Sequence, residues 1–161
     1  MKGLIYGSAL AAVALTFSTL SVQAADVTTP IARIVPAETS LPGSDTPQNA
    51  THHIALAVES ADLAQLVLSL PADVKPPTAV QVTNQAGESV ETNVTIAPQQ
   101  VVINFTKPVP VGTTLAVSLQ GVRRITSANV LVYEVAARRS GAKGLTPIGS
   151  ASVRAYGPAQ Q

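Results

Sequence analysis

The sequence reads as an all-β protein, an antiparallel sandwich of about seven or eight short strands. From Thr51 onward, apolar and polar residues alternate with period two, the spacing that turns one face of each strand inward. Clusters of Pro, Gly and Asn interrupt that alternation roughly every 8 to 12 residues. No sustained helical repeat of apolar residues runs through the same region. One apolar face per strand implies two sheets packed face to face.

The chain opens on a segment foreign to that pattern. Lys2 is followed by an uncharged run from Gly3 to Leu20, and Val22-Gln23-Ala24 precedes Ala25. A basic start, an apolar middle and a small-x-small end describe a cleavable secretory signal. Residues 1–24 are therefore expected to be a signal peptide, and the mature protein is expected in the periplasm, on the cell surface or outside the cell. A retained anchor is the competing reading, since a spanning helix needs only about 17 residues. Against it, Ser8, Thr16, Ser18 and Thr19 dilute the apolar run, and no basic stop-transfer cluster follows Ala24. No transmembrane segment is expected after cleavage. The leader also lacks a lipoprotein cysteine and a twin-arginine pair.

Composition narrows the function further. The chain has 10 Lys and Arg against 9 Asp and Glu, so loss of Lys2 with the leader leaves no net charge. Nucleic acid and anionic lipid both require a basic surplus, so neither is an expected partner. With 0 Cys, folding rests on the core rather than on disulfides. After cleavage Phe105, Tyr133 and Tyr156 are the remaining aromatics. The core must be built from Val, Leu and Ile, whose branched side chains suit a pleated sheet.

Residues 25–50 read as a Pro-rich arm or linker, extended or mobile, with Pro30, Pro36, Pro42 and Pro47 and no sustained repeat. Within it Val27, Ile31, Ile34 and Val35 make a short apolar segment bounded by prolines. That segment has two readings: a first strand or spacer of its own domain, or an arm that docks on a second copy or an envelope protein through an open sheet edge. Val130 to Ala136, which carries little charge, reads as such an edge.

The sandwich domain is placed at 51–157 with a tail at 158–161. Ile54, Leu56 and Val58 alternate with Ala55 and Ala57, and Leu66, Leu68 and Leu70 follow. Ser60 to Leu66 also fits one helical turn capped by Ser60. Val80 and Val82, then Val90, Val94 and Ile96, continue the pattern, with Glu88 and Glu91 flanking a hairpin. The cleanest strands are Val101-Ile103-Phe105 and Leu115-Val117-Leu119, after which come Leu131-Tyr133-Val135 and a weak last strand from Gly149 to Tyr156. Pro71 with Pro76-Pro77, Asn84 to Gly87, Pro98, Pro108 to Gly112 and Gly141 to Pro147 are the turns between them.

Three pieces of this domain carry a resemblance: Ile54-Ala-Leu56 leading to Leu66-Val-Leu68, the run from Ile103 to Leu119 with its Pro108-Val-Pro110-Val-Gly112-Thr-Thr turn, and Val130 to Val135. They resemble the short exported proteins of cyanobacteria grouped as domain of unknown function 2808. That resemblance implies an immunoglobulin-like sandwich of the cyanobacterial envelope, and it brings no activity and no catalytic residue. The chain departs from the family's aromatic preference at His52-His53. A weaker likeness is to the periplasmic copper-resistance sandwiches, whose sites use histidines, one at the mature N-terminus, and methionines. Here the mature chain would begin at Ala25 and contains no methionine, so the likeness bears on fold and not on metal.

Candidate sites are few. His52 and His53 are adjacent, and neighbours on a strand point to opposite faces, so they cannot share an ion unless Thr51 to His53 is a loop. A metal would also need carboxylates such as Glu59 or Asp62. By parity His52 shares the inner face of Ile54, and His53 faces solvent. Arg123-Arg124 and Arg138-Arg139 sit just after strands, where guanidinium forks can hold a partner's carboxylates or an acidic polysaccharide, or simply keep the sheets soluble. No Gly-x-Ser-x-Gly elbow and no paired carboxylates occur, so no enzyme and no cofactor are expected. Asn49, Asn93 and Asn104 satisfy a glycan-acceptor pattern that is common by chance in Thr-rich strands. The expectation is an exported, non-catalytic envelope or extracellular sandwich, structural, adhesive or protein-binding, with a periplasmic binder of copper-type metal or a small ligand as the alternative.

Overall fold

The computed structural model describes residues 30–35, 50–125 and 130–154. The expected signal, residues 25–29 and 36–49 of the arm, Tyr156 and the tail lie outside the described residues. Ten strands follow in chain order: β1 (Ala32–Val35), β2 (Ala50–Val58), β3 (Leu63–Ser69), β4 (Val74–Lys75), β5 (Ala79–Asn84), β6 (Thr92–Ala97), β7 (Gln100–Val109), β8 (Thr114–Arg124), β9 (Val130–Arg139) and β10 (Thr146–Arg154). No helix occurs among the described residues.

The strands form two antiparallel sheets. In the first, β1, β2 and β8 lie side by side, and β8 is flanked on its far side by β5 along most of its length and by β4 at its end. The second runs β10-β9-β3-β7-β6. Period two explains the packing. In β2 the even positions His52, Ile54, Leu56 and Val58 are buried while Ala55 and Ala57 face out. Opposite them Leu115, Val117 and Leu119 of β8 turn inward. The second sheet answers with Leu66 and Leu68, Val101 and Ile103, and Leu131 and Tyr133, all at 1% exposure or less. Each such side chain contributes about 1.5–3 kcal/mol on burial.

The eight longer strands match the alternating runs, and the differences are local. Leu63–Ser69 is a strand rather than a capped helical turn, because its leucines complete the inner face of the central strand; the Ser60 hydroxyl instead donates to the Pro30 carbonyl at 3.1 Å. The arm segment supplies β1, paired with β2 from Ala32 opposite Val58 to Val35 opposite Ala55. A short hairpin does form beside Glu88 and Glu91: Thr83 bridges Ser89 antiparallel, and the Val90 amide donates to the Val82 carbonyl at 2.9 Å. Asn84 closes a tight turn to Glu88, after which the chain crosses from β5 in the first sheet to β6 in the second. Val130 to Ala136 is not an edge: β9 lies between β3 and β10. Arg123-Arg124 and Arg138-Arg139 fall inside the ends of β8 and β9, since β4 pairs with the first pair and β3 with the second.

Gly121 shows why one irregularity is needed. It breaks the β8 ladder with φ +66, and a Cβ there would strike the Thr78 hydroxyl. Thr78 in turn bonds the Gln120 carbonyl through both its amide, at 2.8 Å, and its hydroxyl, at 3.2 Å. A residue without a side chain lets β8 kink past this contact and continue to β4.

Candidate functional site

The adjacent histidines part as strand geometry demands. His52 is 3% exposed, and its Nδ1 lies 2.5 Å from the Tyr133 hydroxyl across the core, with the rings edge to face at 82°. The pair satisfies two polar groups where neither meets water, and burial pushes the Tyr133 hydroxyl far above its ordinary value, keeping it neutral. His53 is exposed on the other face, its Nδ1 2.9 Å from the Ser118 hydroxyl. A histidine beside a serine is a base beside a nucleophile. The backbone around Ser118 is committed to the ladders with β2 and β5, which leaves no amide pair aimed at an oxyanion. Among the described residues no group of three His, Asp or Glu side chains gathers for a metal. His52 and His53 are thus not brought to one ion.

The two arginine pairs also separate. Arg123 is exposed opposite Lys75, at the far end of the first sheet; Arg124 is half-buried and engaged in further interactions. Arg138 stands elsewhere, on the solvent face of the second sheet. There the register aligns one residue from each of four strands: Arg138 of β9 opposite Gln65 of β3, Gln65 opposite Asn104 of β7, and Asn104 opposite Asn93 of β6. Arg138 Nε donates to Gln65 Oε1 at 3.1 Å, and Gln65 Nε2 donates to Asn104 Oδ1 at 2.7 Å.

The direction of this relay follows from chemistry. Guanidinium can only donate, so Gln65 must turn its oxygen to Arg138 and its amide nitrogen to Asn104. Asn104 must then accept through its oxygen, which leaves its own NH₂ as a donor beside Asn93. Arg138 and Gln65 are half-buried, and no carboxylate of the described residues lies within ion-pair distance of Arg138. In the next row Val67, 5% exposed, lies between Val102 and Ala136. The face is therefore a line of fixed donors beside a flat apolar strip.

Sequence reading places Arg138 in a pair with Arg139, meets Asn93 and Asn104 only as glycan acceptors, and leaves out Gln65. Period two puts all three on outer faces, but the row exists only once strand order and register are known. A smaller feature lies at the side of the sandwich, where a cleft of about 310 Å³ opens between β1 and β2 on one side and β10 on the other, with Val35, His53 and Ala55 on the first wall and Ser150 to Val153 on the second.

No family model matches the chain, and no curated protein matches it. Among solved structures it is similar to the N-terminal domain of the Streptococcus gordonii adhesin Sgo0707, with TM-score 0.51 and 11% identity over 78% of this chain and 32% of that one. It is also similar to the collagen-binding domain from a Staphylococcus aureus adhesin, with TM-score 0.45 and 8% identity over 80% of this chain and 99% of that one. The chain spans about a third of the length of the first of these structures. The first likeness is one of fold: an all-β sandwich.

Proposed function

We propose that the protein is an exported, non-catalytic β-sandwich of the cell envelope or extracellular space, and that it works by adhesion or protein binding. The observation that carries the reading is the row from Arg138 to Asn104, fixed side chain to side chain on the solvent face of a five-stranded sheet. Such an array spends its hydrogen bonds on presenting donors outward. Catalysis would need a nucleophile, a base and an oxyanion site converging on one atom, and His53 with Ser118 supplies the first two only. The leader supports export, the likeness of Ile103 to Leu119 to the cyanobacterial envelope family supports the setting, and the fold is one that the Sgo0707 adhesin domain shares.

Two measurements test this. Fractionation with mass spectrometry should recover the chain outside the cytoplasm beginning at Ala25; a full-length cytoplasmic chain would end the export half. The mature chain should bind isolated envelope material saturably, about threefold less after Gln65→Ala with Asn104→Ala, while circular dichroism shows the sandwich still folded. Absence of saturable binding, together with ester hydrolysis lost on Ser118→Ala, would replace the adhesive reading by an enzymatic one.

A second reading, capture of a small ligand, rests on the cleft beside His53. It expects His53→Ala to abolish binding of a compound that protects the protein against heat.

A further inference from the structure

Resting on that adhesive reading, we infer that the row across the second sheet is a binding site for a carboxylated polysaccharide, a chain of uronic acid rings lying across the strands from β9 to β6. Three features of the face select this ligand. The single guanidinium is held in place by Gln65 and has no carboxylate partner among the described residues, so a ligand carboxylate can take its remaining N–H groups as a fork. Beside it the row offers neutral amides, Gln65, Asn104 and Asn93, which match hydroxyl groups rather than further charges. A uronic acid ring carries that ratio, one carboxylate among several hydroxyls. The side chains of an acidic peptide offer acceptors only, with no hydroxyl that both donates and accepts, and so match the amides less fully.

Direction is set by the rest of the face. Four neighbouring strands span about 14 Å from Arg138 to Asn93. Along β9, by contrast, the outward Glu134 stands four residues from Arg138, about 13 Å away, and would repel an acidic chain laid parallel to the strands. The half-buried Val102 and Ala136, on either side of the buried Val67 in the next row, meet the C–H faces of the rings.

Affinity electrophoresis of the mature protein in gels containing polygalacturonate, dextran or poly-L-glutamate decides the matter. Polygalacturonate should retard the protein, with dextran and poly-L-glutamate at least fivefold weaker at matched residue concentration. Arg138→Gln should lose at least tenfold, Arg138→Lys should recover only part of it, Asn104→Ala should lose about threefold, and Arg123→Gln should change nothing. Equal retardation by poly-L-glutamate, or an equal loss in Arg123→Gln, would reduce the effect to diffuse charge and overturn the site. If no polymer retards the protein while envelope material still binds it, the polysaccharide falls and the adhesive reading stands. If neither binds, both fall. Circular dichroism of each variant separates loss of binding from loss of fold, and Arg138→Lys remains informative should Arg138→Gln fail to fold.

Discussion

On the outer face of the first sheet Ala57 stands between Arg33 and Thr114, and Ala55 between Val35 and Ala116. On the outer face of the second, corresponding central positions carry Gln65, Asn104 and Arg138, bonded in line. The inner faces are alike in both sheets, rows built mainly of Leu, Val and Ile, most of them at 2% exposure or less. Packing is thus shared between the sheets while the bonded polar row is not. A period-two chain leaves its outer positions free of the core's constraint, and this protein sets alanines at the centre of one outer face and a polar relay across the other.

The largest effects should show the inner faces to be equivalent. Leu115→Ala in the first sheet and Leu66→Ala in the second are each expected to cost about 2–5 kcal/mol in denaturant unfolding, because both leave a cavity in a closed core. A cost confined to one sheet would break the symmetry. Next come the two histidines, one strand position apart. His52→Ala removes the partner of a buried hydroxyl and should cost about 2–3 kcal/mol, whereas His53→Ala should stay within about 0.5 kcal/mol in the same assay.

Alkaline titration sharpens that contrast. Burial raises Tyr133 above its ordinary value of 10.0, so the folded protein holds this proton more tightly than the unfolded chain. The stability this confers is complete below pH 10 and declines as pH rises through the raised value, by up to about 1.4 kcal/mol per unit. Tyr133→Phe should be less stable at neutral pH yet lose this part of the decline, measured as melting temperature against pH. The smallest effects compare the outer faces directly. Gln65→Ala, which strands Arg138 and Asn104, should cost about 0.5–1.5 kcal/mol, while Ala116→Ser should fall within about 0.5 kcal/mol.

Much of the fold was legible because burial enforces alternation. Ile54, Leu56 and Val58 cannot exchange with Ala55 and Ala57 without turning the core outward. The same parity set His52 inward and His53 outward. Strand ends were less legible: Arg123 and Arg124 close a strand because Lys75 and Val74 come alongside, a pairing with no local sign. β1 was only one of two readings of the segment between Pro30 and Pro36, because its four residues are held by β2 rather than by their own pattern. The polar row was the least visible, since Gln65, Asn93, Asn104 and Arg138 are scattered through the chain, and only the strand order β9-β3-β7-β6 assembles them.

β8 also sets the order in which the chain can fold. It is the shared neighbour of β2, β4 and β5, and each of these precedes it. Until Thr114 to Leu119 have been made, the inner side chains of β2 have no closing partner in their own sheet beyond β1, and β5 has none at all. The pairing of Leu56 with Leu115 spans over half the described chain, and non-local pairings of this kind place sandwiches among the slow folders, in the range of about milliseconds to seconds. A nascent chain ending before Val111 should therefore remain unfolded, and the kinked strand beginning at Thr114 is the point at which one sheet becomes possible.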